Sequence, residues 1–203
     1  MADKPELLLQ RKQQVVRDAI WNAALDLFAE KGFDQATVEE ISAAAGVSQR
    51  TFFRYYASKS DLMGQTMMAY GELLSTAIMA SPTSSDGFGV LRAAVLEIAA
   101  QVASFPRTRE VIAISIQCPA AREAQLSRRS EVEEMVAQAF AARLKKGHEG
   151  GLTAHLLAGL TLTLLDQTLR FWYADASQKI TAVAGRVMKR LCKIVNGAHG
   201  NGL

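Results

Sequence analysis

Gln49, Arg50, Thr51, Phe53 and Arg54 set an amide, a hydroxyl, an aromatic ring and two guanidinium groups within one short segment. A guanidinium donates in a planar fork, an amide both donates and accepts, and an aromatic edge covers a methyl or a sugar. Such a set suits reading base edges in a nucleic-acid groove. Thr37, Ser48, Tyr55 and Lys59 surround it with hydroxyl, phenol and ammonium groups, which suit phosphate oxygens. From Val47 to Ser60 the charged residues are Arg50, Arg54 and Lys59, with no acid among them. Over residues 1–62 acids and bases balance, so the chain's net charge of +3 says little. Phosphate affinity follows the cations at the contact surface, and their local placement carries the argument.

No other chemistry is assembled. His148, His155 and His199 fall in a loop, an apolar helix and the C-terminal tail, none with a partner at metal or triad spacing. Cys118 and Cys192 are far apart and have no histidine companions, which suits reduced cytosolic thiols. The glycine clusters at Gly147/Gly150/Gly151 and Gly197/Gly200/Gly202 follow no strand and lack phosphate-cradling spacing. No metal, no cofactor and no enzymatic activity are therefore expected; an all-α enzyme lacks its paired acid and base here.

The contact residues need a scaffold, and residues 37–56 supply one. Thr37 is a good N-cap, and Glu40 stands where a capping box wants it. Val38, Ile41, Ala44 and Ala45 recur at helical spacing, Gly46 permits the exit, and Val47 plugs the corner. Ser48 then caps a second helix whose Phe52 and Tyr56 face inward. Taken alone, Arg50 and Arg54 would suit a solvated helix face. The glycine turn, the two caps and the exposed Phe53 and Tyr55 favour a helix-turn-helix offering its second helix to the major groove.

The run from Arg17 to Leu62 resembles the DNA-binding domain of the TetR family of bacterial transcriptional regulators. The resemblance rests on Ile20, Ala24, Leu27-Phe28, Gly32-Phe33, Thr37, Ile41, Ala45-Gly46-Val47-Ser48, Thr51-Phe52, Tyr55-Tyr56, Lys59 and Leu62 in one register. Ser42 departs from it, standing where an alanine is usual. The resemblance implies a repressor that binds a palindromic operator in double-stranded DNA as a homodimer and answers to a small-molecule effector. Gln49, Arg50, Thr51, Phe53 and Arg54 would approach bases, and Thr37, Ser48, Tyr55 and Lys59 would clamp phosphates.

The remaining chain reads as helix throughout. Of 203 residues 49% are hydrophobic, and only four are proline, so an all-α fold with a sizeable core is expected. Residues 1–9 read as a disordered leader, 10–56 as the helix-turn-helix domain and 57–203 as a helical effector-binding and dimerisation domain. The patterns predict helices near 10–31, 58–80, 88–104, 106–117, 120–146, 152–174 and 177–196, with breaks at 81–87 and 145–151. The N-terminus lacks a signal-peptide pattern and Leu152–Leu165 is too short to span a bilayer, so a cytoplasmic protein without membrane contact is expected.

Helix 152–174 is apolar nearly all round, and 177–196 carries an Ile180/Val183/Val187/Leu191/Ile194 stripe. Such faces require cover, and a second copy of the chain would provide it as a four-helix bundle. The family implies a hollow in the body. Phe105, Ile112, Ile116 and Met135 are its apolar candidates and Thr161 and Asp166 its polar anchors, each with a plain core role as the alternative. Residues 88–196 resemble, more loosely, mycofactocin-associated TetR-type regulators, through Ser104-Phe105-Pro106-Arg107-Thr108-Arg109-Glu110 and Cys118-Pro119-Ala120-Ala121. That hints at an apolar or acyl-bearing effector. The rival reading is a helical small-molecule or lipid carrier, which accounts for the apolar body but not for residues 37–62.

Overall fold

The computed structural model describes residues 4–82, 86–144, 150–175 and 177–199, all helices and their connections with no strand among the described residues. The expected breaks at 83–85 and 145–149, with His148, lie outside the described residues. The order is α1 (Lys4–Lys31), α2 (Val38–Ala44), α3 (Gln49–Tyr55), α4 (Lys59–Ala80), α5 (Gly87–Ser104), α6 (Thr108–Gln117), α7 (Pro119–Leu126), α8 (Arg129–Arg143), α9 (Gly150–Ala174) and α10 (Ile180–His199). The all-α class with an N-terminal helix-turn-helix and a C-terminal helical body is what the structure shows.

Three boundaries differ from the sequence expectation. α1 starts at Lys4 rather than Gln10: Pro5 suits a first turn, and Glu6, the leucines and Gln10 are good helix formers. The single helix expected over 120–146 is two, because the Ser127 hydroxyl donates to the Ala124 carbonyl and closes α7. Pro106 stands before α6 in a turn with Arg107 at φ 65°, and the Thr108 hydroxyl donates to the Val102 and Phe105 carbonyls there.

Two compact units emerge: Met1–Thr66 with Ala113–Ser127, and Met67–Ile112 with Arg128–Leu203. In the first, Ile20, Ala24, Phe28, Phe33, Ile41, Phe52, Tyr56, Leu62 and Met63 are buried. Phe28 and Phe33 meet at 4.9 Å between ring centroids, and Phe52 and Tyr56 at 5.6 Å. Gln125 of α7 donates to the Thr66 hydroxyl of α4 at 2.7 Å. The expected head ended at residue 56, and the pattern of an isolated stretch had no means of drawing α7 into this unit.

The second unit holds the large core. α5 contributes Leu91, Ala94, Val95, Ile98 and Val102, α8 Val132, Val136 and Phe140, and α9 and α10 supply Leu162, Leu165, Val183 and Met188. A Cβ at Gly71 would sit 2.8 Å from a Val132 methyl, so α4 passes α8 with room for hydrogen only. α5, with a mean hydropathy of 1.3 over Gly87–Ser104, is long and apolar enough to cross a bilayer. Its Val90 to Val102 face is instead buried in this core, while Arg92 and Glu97 are exposed.

Candidate nucleic-acid interface

α2 and α3 are each seven residues long, so their ends decide whether they form at all. Thr37 caps α2 in a complete capping box: its hydroxyl accepts from the Glu40 N–H at 3.2 Å, and its own N–H donates to the Glu40 carboxylate at 2.9 Å. Gly46 at φ 67° ends the turn, with its N–H on the Ala43 carbonyl and that of Val47 on Ser42. Ser42, the departure from the family pattern, is buried and donates to the Val38 carbonyl at 2.7 Å. A small hydroxyl is thereby accommodated without an orphaned polar atom. Ser48 caps α3 by accepting from the Thr51 N–H at 3.1 Å, and its hydroxyl pairs with that of Thr51 at 3.0 Å.

With Phe52 fully buried, Gln49, Arg50, Phe53 and Arg54 are exposed. Phe53 is 52% exposed, an uncommon position for a large apolar ring that has no partner to cover it. Arg54 donates to the Tyr55 hydroxyl at 3.3 Å and lies 5.0 Å from that ring's centroid. The Arg17 guanidinium of α1 lies 5.7 Å from the same ring, so Tyr55 gathers two cations beside the recognition helix. Arg17 was missed as a contact because its spacing on α1 gives no sign that it returns to α3; only the fold does. Burial pushes the Tyr56 phenol up in pKa, with the nearby Arg17 charge opposing, so it stays neutral inside the unit.

Two expected phosphate contacts are corrected by this geometry. Thr37 donates both its N–H and its hydroxyl to Glu40, so neither proton is on offer to a phosphate. Lys59 is half-buried, and its ammonium donates to the carbonyls of Phe33, Asp34 and Ala36, which uses all three of its protons. Ser48 and Thr51 need only one hydroxyl proton between them, which leaves the other free.

The Lys31 ammonium, bonded to Glu40, and then the Thr37 hydroxyl and N–H, hold the Glu40 carboxyl down at about 2. A carboxyl depressed in the folded state contributes its full stability above the ordinary carboxylate pKa of about 4.5 and loses it as pH falls towards about 2. Glu40→Gln should therefore melt below the wild type at neutral pH, and the gap should close on acidification through that window. Thermal unfolding of both proteins across the pH series measures this; a gap independent of pH would assign the effect to something other than charge.

The six effector candidates are not brought together. Phe105 and Ile116 are exposed, at 46% and 41%, and Ile116 belongs to the first unit. Ile112 is buried in the second unit's core, and Met135 is half-buried with its sulfur facing Gly71. Thr161 is fully buried, but its hydroxyl donates to the Leu157 carbonyl one turn back. The Asp166 carboxylate accepts from Arg170 and Gln167. A hollow of about 400 Å³ lies elsewhere, between α9 and α10, floored by Leu164, Val183 and Leu191 and rimmed by Arg186 and Arg190. His155 is exposed rather than core, bonded to Glu134 of α8 and to the Gly151 carbonyl.

Comparison with known proteins meets the same segment. The family model described as bacterial regulatory proteins, tetR family, matches residues 20–66. TcmR of Streptomyces glaucescens, an HTH-type transcriptional regulator, is 37% identical over 79 residues, which are 39% of this chain and 35% of TcmR. MftR of Mycobacterium tuberculosis, named for regulating mycofactocin biosynthesis, is 26% identical over 86% of this chain and 88% of its own. Among solved structures, NalD, the secondary repressor of the MexAB-OprM multidrug efflux pump in Pseudomonas aeruginosa, superposes with a TM-score of 0.58 at 22% identity. The alignment covers 90% of this chain and 96% of NalD. FadR of Bacillus subtilis, solved with stearoyl-CoA, gives a TM-score of 0.55 at 19% identity over 84% and 95% of the two chains. These structural likenesses establish a shared fold. With the capped helix-turn-helix over the matched residues and that fold beyond them, the chain is a member of the TetR family of bacterial transcriptional regulators.

Proposed function

We propose that this protein is a ligand-responsive repressor that binds a palindromic operator as a homodimer and is released by a small apolar or acyl-bearing effector. The observation that carries the reading is the exposed polar and basic face of α3, with Phe53 half in solvent. Gln49, Arg50, Thr51, Phe53 and Arg54 read the major groove in this proposal. Ser48, Tyr55 and Arg17 hold the backbone. Arg50 is the sharpest probe, because a guanidinium fork pairs with both acceptors of a guanine. Arg50→Ala should cost about 1–3 kcal/mol at one or two operator positions and relax base preference there. The check is binding to the chain's own upstream DNA and to single-base variants of it; unchanged affinity and unchanged preference would remove Arg50 from the readout. Failure of the wild type to retard that DNA would sink the function itself.

Pairing of two protomers through α9 and α10 is supported by the apolar side chains left open along them. Leu152, Leu156 and Phe171 of α9 and Ile194 of α10 are each more than half exposed. A second copy would cover them as a four-helix bundle. The effector class has thinner support: a body rich in buried aliphatic side chains, and a shared fold with a regulator solved with stearoyl-CoA. Operator affinity across a panel of free fatty acids, their coenzyme A thioesters and neutral apolar compounds tests it. Release by none of them would remove that class.

A further inference from the structure

Lys59 stands where electrostatics alone would not put it. It is the first residue of α4, at the positive end of the helix dipole, where a cation is disfavoured. Its surroundings compensate. The ammonium donates to the carbonyls of Phe33 at 2.5 Å, Ala36 at 2.9 Å and Asp34 at 3.1 Å. It also lies 4.6 Å from the centroid of the Phe33 ring, a cation–π distance. The segment from Phe33 to Ala36 is a turn outside any helix, so those carbonyls lack the acceptor role that a helical ladder would give them. One ammonium satisfies three of them. Phe33 and Ala36 are themselves buried, and the next residue is Thr37, the cap of α2.

We infer that Lys59 is a positioning residue for operator recognition and makes no phosphate contact of its own. It ties the end of α1, the entry to α2 and the start of α4 to one point, and so fixes the platform from which α3 projects. The inference rests on operator binding by α3, and it assigns Lys59 a part that the sequence pattern of a basic residue beside a recognition helix does not suggest.

Salt dependence separates the two parts. A phosphate contact contributes to the slope of log affinity against log salt, by about 0.9 per phosphate neutralised, whereas a group that only sets geometry moves the affinity and leaves the slope alone. Lys59→Met should weaken operator binding by about tenfold or more at every salt concentration, with the wild-type slope retained. Lys59→Arg keeps the charge but brings a planar fork to a site built for a point donor with three diverging protons, and should not restore affinity. A flattened slope in Lys59→Met, or full affinity in Lys59→Arg, would overturn the inference in favour of a phosphate contact. Unchanged affinity in Lys59→Met with a lowered melting temperature would overturn it in favour of stability alone. Reductive methylation of the wild type, read lysine by lysine, needs neither variant nor operator. Lys59 should be among the slowest lysines in the free protein, and rapid modification there would overturn the carbonyl cradle whether or not operator binding is found.

Discussion

A Phe171→Asp variant is expected to sediment as a soluble, helical monomer and to lose operator affinity by about 10²–10⁴-fold, the range in which one linked binding site reinforces another. Phe171 is 57% exposed in the protomer, so a carboxylate there costs the fold little. In a paired bundle the same carboxylate would be buried without a partner, a cost of several kcal/mol for each copy. Leu164 is a poorer probe, because at 6% exposed it belongs to its own protomer's core and Leu164→Asp would confuse unfolding with dissociation. Analytical ultracentrifugation and operator titration on the same preparations decide the matter. A Phe171→Asp protein that remains a dimer with wild-type affinity would place the interface off α9.

The head was legible because its signals are local. A cap, its glutamate three residues on, a glycine exit and two aromatic residues four apart need no distant partner, and the structure has each of them: the Thr37–Glu40 box, Gly46 at positive φ, Phe52 and Tyr56 buried. The side-chain roles were less legible because they depend on residues far along the chain. Lys59 looked like a free cation until carbonyls 23 to 26 residues earlier closed around it. Arg17 looked like a solvated helix residue until α3 brought Tyr55 beneath it. The body was legible as helix but not as a pocket. Thr161 illustrates why: a buried hydroxyl in a helix can bond to its own preceding turn as readily as it can await a ligand.

Phe52→Ala should abolish operator binding at ordinary temperatures. Phe52 is fully buried and among the largest such side chains in the chain, and its ring meets Phe53 edge-on at 5.5 Å and Tyr56 at 5.6 Å. Truncating a buried phenylalanine costs about 3–5 kcal/mol, much of the stability available to a small unit. The second unit has its own core, so most of the helical circular dichroism should persist while the first unit melts early. Phe53→Ala is the control: that ring is 52% exposed, and its loss should weaken operator binding with the melting profile intact. A Phe52→Ala protein with wild-type melting and binding would mean that α3 is held by something other than this ring.

The seven-residue length of α3 has a consequence for how such a regulator can be retargeted. A peptide helix this short does not persist alone, since about 12–15 residues are needed. α3 therefore exists because Ser48 caps it and Phe52 and Tyr56 anchor it from one side. Gln49, Arg50, Phe53 and Arg54 take no part in that anchoring and are free to change type. Exposed substitutions of this kind shift stability by only about 0.5 kcal/mol in either direction. A library randomised at these four positions, with Ser48, Phe52 and Tyr56 held, should therefore remain folded in nearly every member while sampling new operators. Address and architecture occupy separate residues of the same two turns of helix, so one can be rewritten without redesigning the other.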